Sequence, residues 1–140
     1  MPAKDIFHDT VKQALINDGW LITADPFHIK LADSDFNMYV DLAAEKVIVA
    51  EKANHKIAVE IKSFIGTSFI NDFHEAVGQF LNYQVILQEQ QPERHLYLAI
   101  SIDIYRTYFQ RHFVQLVCQK YQLALLVFDP KQEVIVLWKK

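Results

Sequence analysis

"HKIAVEIKSF", residues 55–64, alternates Val59 and Ile61 with Glu60 and Lys62 before reaching Ser63. Alternation with period two is the mark of a β-strand, because successive side chains point to opposite faces. The preceding run "EKVIVAEKA" reads the same way, and "NHK" between the two is a tight turn. The pair therefore forms a β-hairpin. A turn centred between Asn54 and His55 sets Glu60 opposite Val49 and Lys62 opposite Val47. By parity, Glu45, Ala43 and Asp41 then share the face of Glu60 and Lys62. Asp41 lies beyond the ideal end of the ladder, so a bend near Ala43 and Ala44 is needed to bring it close. Glu51 shares the face nominally, beside the turn.

Two chemistries fit such a face. Two carboxylates a few ångströms apart repel, and a divalent cation relieves the repulsion while gripping a phosphate oxygen and a water. The Lys62 ammonium can then orient the water or stabilise charge in the transition state. Ile61 buries its side chain toward the sheet, and its backbone carbonyl can reach the metal. E-x-K is equally the pattern of a half-exposed strand that keeps its charges in water. The residues alone leave both readings open.

Around the hairpin the pattern alternates helices and strands. Phe7, Val11, Ala14 and Leu15 mark one face of a first helix, with Gly19 as its stop. "WLITAD" and "FHIKLA" are extended, and "MYVDLA" leads into the hairpin. From Phe69 to Gln90, apolar residues recur at three- and four-residue steps through Phe73, Ala76, Val77, Phe80, Tyr83 and Leu87. Pro92 closes that helix and "HLYLAISI" is a strand. Tyr105, Phe109, Leu116 and Val117 mark one further helix ending near Tyr121. "LALLVFD" and "EVIVLWKK" make a C-terminal strand pair turned at Pro130 and Lys131. This order implies an α/β domain, residues 1–140, with one mixed central sheet flanked by helices.

The 140 residues suffice for one self-supporting core, and 51% are apolar. One cysteine, Cys118, excludes an intrachain disulfide framework and fits a reducing cytoplasm; its helical, apolar neighbours predict an inert, buried thiol. No run has the length of a membrane span or the shape of a signal peptide. With a net charge of −3, DNA binding would need local patches, a bound cation or a partner. The six histidines lack the spacing of a zinc site. His8, beside Asp5, Asp9 and Lys12, reads as surface polarity. Three glycines leave no phosphate-cradling loop. The aromatics of "YRTYFQRHF" fall at helical spacing and read as core more readily than as a nucleic-acid platform. Glu45 is an auxiliary carboxylate candidate, and Ser63 either bonds a phosphate or ends the strand.

"VDLAAEKVIVAEKANHKIAVEIKSF" resembles the hairpin of the PD-(D/E)xK nucleases, with Asp41 at the first acidic position and Glu60-Ile61-Lys62 as E-x-K. Val40 stands where many members have proline. In "EAVGQFLNYQ", Gln79 and Tyr83 fall where such nucleases often carry a glutamine and a tyrosine. Nearly the whole chain is similar to the XisH family, the fdxN element excision controlling factors of cyanobacteria, through "MPAKDIFHDTVKQALINDGW", "VDLAAE", "IAVEIKSF" and "EAVGQFLNYQ". The resemblance implies a restriction-endonuclease-like fold and a Mg²⁺ or Mn²⁺ ion on Asp41, Glu60 and the Ile61 carbonyl. It further implies an accessory role in excising a DNA element from a nitrogen-fixation operon. The implied partners are DNA, a site-specific recombinase and a small XisI-like protein; a homo-oligomer is compatible with it. Membership implies a controlling factor and does not by itself imply a nuclease.

Overall fold

The computed structural model describes residues 5–25, 30–33, 38–41 and 47–140, with the backbone alone at 30–33 and 38–41. In chain order the elements are α1 (His8–Asn17), β1 (Leu21–Ala24), β2 (Lys30–Asp33), β3 (Met38–Asp41), β4 (Val47–Lys52), β5 (His55–Ile61), α2 (Phe69–Gln90), β6 (Arg94–Ser101), α3 (Ile102–Thr107), α4 (His112–Tyr121), β7 (Leu125–Asp129) and β8 (Val134–Lys139). Six strands form one mixed sheet in the order β1-β4-β5-β6-β7-β8. β5 pairs antiparallel with β4 and parallel with β6; β7 runs parallel to β6 and antiparallel to β8. The C-terminal pair is thus one margin of the main sheet. No described helix is long and apolar enough to cross a membrane.

Alternation on the central strands divides the core into two layers. Ala58, Leu96, Leu98, Ile100, Leu125 and Val127 face α2 and pack with Phe73, Phe80 and Leu87. Ile57, Val59, Ile61, Tyr97, Ala99, Leu126 and Phe128 face the other way and pack with Val11 and Leu15 of α1. β5 therefore has neighbours along both edges and layers on both faces, which explains why Ile57 to Ile61 are all buried.

The helix ends follow the local chemistry. The Ser68 hydroxyl accepts from the Asn71 N–H at 3.3 Å and opens α2, whose span matches the expected one. α1 stops where Gly19 takes a φ of +91°, letting the Gly19 and Trp20 N–H groups bond back to the Ile16 and Leu15 carbonyls. At the other end, His8 is 1% exposed, against its expected place on the surface. Its Nε2 lies 2.6 Å from Asp25 Oδ1, and Lys12 Nζ lies 2.8 Å from Asp25 Oδ2, so one carboxylate joins α1 to the end of β1.

Three expectations need correction. The β4–β5 turn is Ala53-Asn54, with Val47 opposite Glu60 and Lys52 opposite His55. Ala53, at φ +52°, takes the left-handed position in that turn. The shift preserves parity, so Glu60 stays on the expected face. Second, β3 pairs with β2 in a separate two-stranded ribbon and does not extend the main sheet. Third, the single helix expected near 105–121 is two. The chain turns after Thr107 so that Phe109 enters a ring cluster with Phe64, Phe69 and Phe73. Leu116, expected as a core marker, is 49% exposed in consequence. Tyr108 stacks on Phe69 at 4.1 Å, so Tyr108 and Phe109 build core, while Phe113 is 53% exposed.

Two stability measurements check this packing. Phe80 has no exposed surface, and Phe80→Ala should lower the unfolding free energy by about 3–5 kcal/mol in urea titrations. At Asp25, burial pushes the carboxyl up, while the hydrogen bonds and charges of Lys12 and His8 outweigh it and hold the carboxyl below its ordinary value. The ionised carboxylate is thus the form favoured by folding. Its contribution is present above the unfolded-state value, about pH 4, and is lost as pH falls through the lower folded one. Asp25→Asn should be destabilising at neutral pH, with the gap to wild type narrowing on acidification below about pH 4. A gap independent of pH would contradict this assignment.

Candidate functional site

At the C-terminal end of β5 the covered strand meets solvent. Glu60 has no exposed surface and points to the α2 layer, between Val47 on β4 and Leu98 on β6. Ile61 points the other way, into the α1 layer, so its backbone alone can serve a site on the α2 side. The Lys62 N–H continues the parallel ladder by donating to the Ala99 carbonyl at 3.2 Å, which keeps Lys62 on the face of Glu60.

The Lys62 side chain confirms that face. It is 14% exposed, and its Nζ lies 3.4 Å from Glu75 Oε1 on α2. The same oxygen accepts from Gln79 Nε2 at 3.3 Å. The Gln79 Oε1 acceptor is buried and has no hydrogen-bond partner among the described residues. Glu75, Gln79 and Tyr83 are successive steps of four along α2 and so lie on one side of it. Tyr83 is buried. The expected Gln79 thus meets Lys62 through Glu75, a residue the motif reading missed. The signal was present in the helical spacing of Glu75 from Gln79.

The segment after Lys62 is tied down from the opposite layer. The Ser63 N–H donates to Asp5 Oδ2 at 2.9 Å, while Asp5 Oδ1 accepts from the Phe7 N–H at the start of α1. Phe64 follows at φ +56°, an uncommon conformation for a ring-bearing residue, and its side chain is held among Phe69 and Phe109. The chain is therefore bent away from the sheet immediately beyond Lys62.

Asp41 closes β3, opposite Lys30. Its side chain, the expected bend at Ala43 and Ala44, and Glu45 all lie outside the described residues. Among the described residues, no group of three or more His, Cys, Asp or Glu side chains could hold a metal ion. The donors that are described, the Glu60 carboxylate and Gln79 Oε1, are oxygens, the type a hard divalent cation takes. Glu51 instead faces Arg94 at 3.9 Å, near the far end of the hairpin. Burial pushes the Cys118 thiol up to about 11, with Lys139 pulling weakly the other way, so it is a poor nucleophile as expected, though only half-buried.

A profile of the XisH protein family matches residues 1–136. An XisH family protein from Nostoc punctiforme PCC 73102 is 44% identical, with a TM-score of 0.88 over 97% of this chain and 100% of that one. A fdxN element excision controlling factor protein from Anabaena variabilis is 43% identical, with a TM-score of 0.88 over 98% of this chain and 100% of that one. Among curated proteins no match was found. With the profile spanning all but the last few residues and both structures superposing over nearly the full length, this chain belongs to the XisH family.

Proposed function

We propose that this protein is an accessory factor controlling programmed excision of a DNA element, and that the Glu60–Lys62 end of β5 is its phosphodiester site. The observation that carries the first part is full-length likeness to a protein named as a fdxN element excision controlling factor. The second part rests on Glu60 and Lys62 sharing the α2-facing side of a central strand, with Lys62 held by Glu75. On this reading the fold is a restriction-endonuclease-like variant and the motif is PD-(D/E)xK. Asp41, Glu60 and the Ile61 carbonyl would hold Mg²⁺ or Mn²⁺. The ion, when bound, would polarise a phosphate oxygen and acidify a water.

The chain's own residues then have separable tasks. Glu60 supplies negative charge from a position without water, where its interaction with a cation is strong. The Lys62 ammonium, kept near the surface by Glu75, stabilises charge that develops on the phosphate. Gln79 fixes Glu75 and leaves Oε1 to accept from a water or substrate group. The Ser63 N–H is committed to Asp5, so only its hydroxyl can meet phosphate. The proposed partners are DNA, a recombinase and a small XisI-like protein, in the cytoplasm.

A second reading, a binding module without catalysis, is favoured by one pair of facts. Glu60 is fully buried, and the chain carries 17 acidic residues against 14 basic ones. Supercoiled-plasmid nicking in Mg²⁺, with and without the XisI-like partner, separates the two. Lys62→Ala should reduce nicking by roughly a hundredfold or more with an unchanged melting temperature. Wild-type protein that fails to nick under every condition would leave the binding module. DNA titrated at two salt concentrations should show weak binding with a shallow salt slope that strengthens with the partner. Tight, steeply salt-dependent binding by the isolated chain would contradict this.

A further inference from the structure

At the end of the sheet remote from Glu60, a cavity of about 820 Å³ opens between the C-terminal half of α2, α4 and the starts of β6 and β7. The parallel register makes the separation plain: Lys56 pairs with Arg94 at the cavity end, and Glu60 with Leu98 toward the other. Its volume lies in the range of small-molecule sites.

The lining has an unusual chemistry for this chain. Arg94, His95, Lys139 and Lys140 contribute to it, and none of the described lining residues is Asp or Glu, although the chain carries a net charge of −3. Arg94 is already committed, with Nε 2.6 Å from Gln91 Oε1 and a terminal nitrogen 3.1 Å from the Ile57 carbonyl, so it forms wall. Lys139 and Lys140 make no ion pair with another described residue, and Lys139 Nζ stands 6.0 Å from the centre of the Tyr105 ring. Gln84, Gln88, Gln115, Gln119 and Gln122 also line the cavity. The hydrogen bonds among the described residues involve none of these five side-chain amides. Five amides without a partner among the described residues offer paired donors and acceptors in one concavity, and Tyr105 offers ring surface beside them.

We infer that this cavity binds a nucleotide unit, with its base among the glutamines and Tyr105 and its phosphate on Lys139 and Lys140. The base edge supplies the donors and acceptors that amides match, and its ring can stack on an aromatic side chain. The phosphate supplies the negative charge that the two lysines do not meet among the described residues. The unit can come as a free mononucleotide or as the phosphorylated end of a single strand; the recognising chemistry is the same. This inference does not depend on phosphodiester chemistry at Glu60.

The test is calorimetric titration of the full chain with three probes: adenosine monophosphate, a 5′-phosphorylated tetranucleotide and inorganic phosphate. The same titrations use the Lys139→Glu/Lys140→Glu protein and Gln119→Ala. These residues are exposed, and circular dichroism with melting curves verifies that both variants fold. Either nucleotide probe should bind more tightly than phosphate, and both variants should weaken it, the charge reversal by roughly tenfold or more. Binding of the monophosphate assigns the free form, and binding of the tetranucleotide alone assigns the strand end. The inference is overturned if neither nucleotide binds, if phosphate binds as tightly, or if affinity survives the charge reversal.

Discussion

The architecture depends on the double burial of β5. Hydrogen-bonded on both edges and covered on both faces, it has no side left for water between Ile57 and Ile61. A slip of one residue in its register would turn Glu60 into the apolar α1 layer and bring Ile61 beneath α2. Register is therefore fixed by the two apolar clusters together, and the site inherits that precision. A carboxylate at this depth costs free energy relative to an apolar residue of similar size, by several kcal/mol in the charged form unless it is compensated. Costs of that kind are characteristic of functional positions.

α2 links this constraint to the rest of the molecule. Its buried side, Phe73, Ala76, Phe80 and Leu87, covers the sheet, while Glu75 and Gln79 reach the end of β5. Further along the same helix, Gln84 and Gln88 line the remote cavity. One rigid helix thus spans both candidate sites. From the other layer, Asp5 grips the Ser63 N–H, so the start of α1 and the end of β5 are positioned by a single carboxylate.

Much of this was legible in the sequence where a local rule decides the outcome. Three- and four-residue apolar spacing located α2, and Gly19 marked the end of α1. Period two alone put Glu60 and Lys62 on one face, and Val47 stayed on that face although the turn was misplaced, because the two registers differ by two residues. The misplacement itself has a local cause: the left-handed turn position is held by Ala53, a residue with no preference for it. What escaped were arrangements set by distant packing. Phe109 leaves the helical register to join rings contributed by α2 and by the segment before it. His8 is buried by Asp25, a partner 17 residues away that no spacing rule connects to it. The departure of β3 into its own ribbon likewise follows from pairing with β2. The expected convergence of Asp41 with Glu60 rested on ladder geometry, and the Asp41 side chain lies outside the described residues.

The proposal that the end of β5 is a cation-assisted phosphodiester site has a direct test. Paramagnetic broadening by substoichiometric Mn²⁺ in amide-resolved nuclear magnetic resonance spectra tests it without requiring turnover. The account predicts that signals from Glu60 to Lys62 and from Gln79 broaden first, while those of Gln119 and Lys139 at the remote cavity stay sharp. Broadening centred on exposed carboxylates such as Glu89 and Glu93, with the end of β5 unaffected, would contradict it.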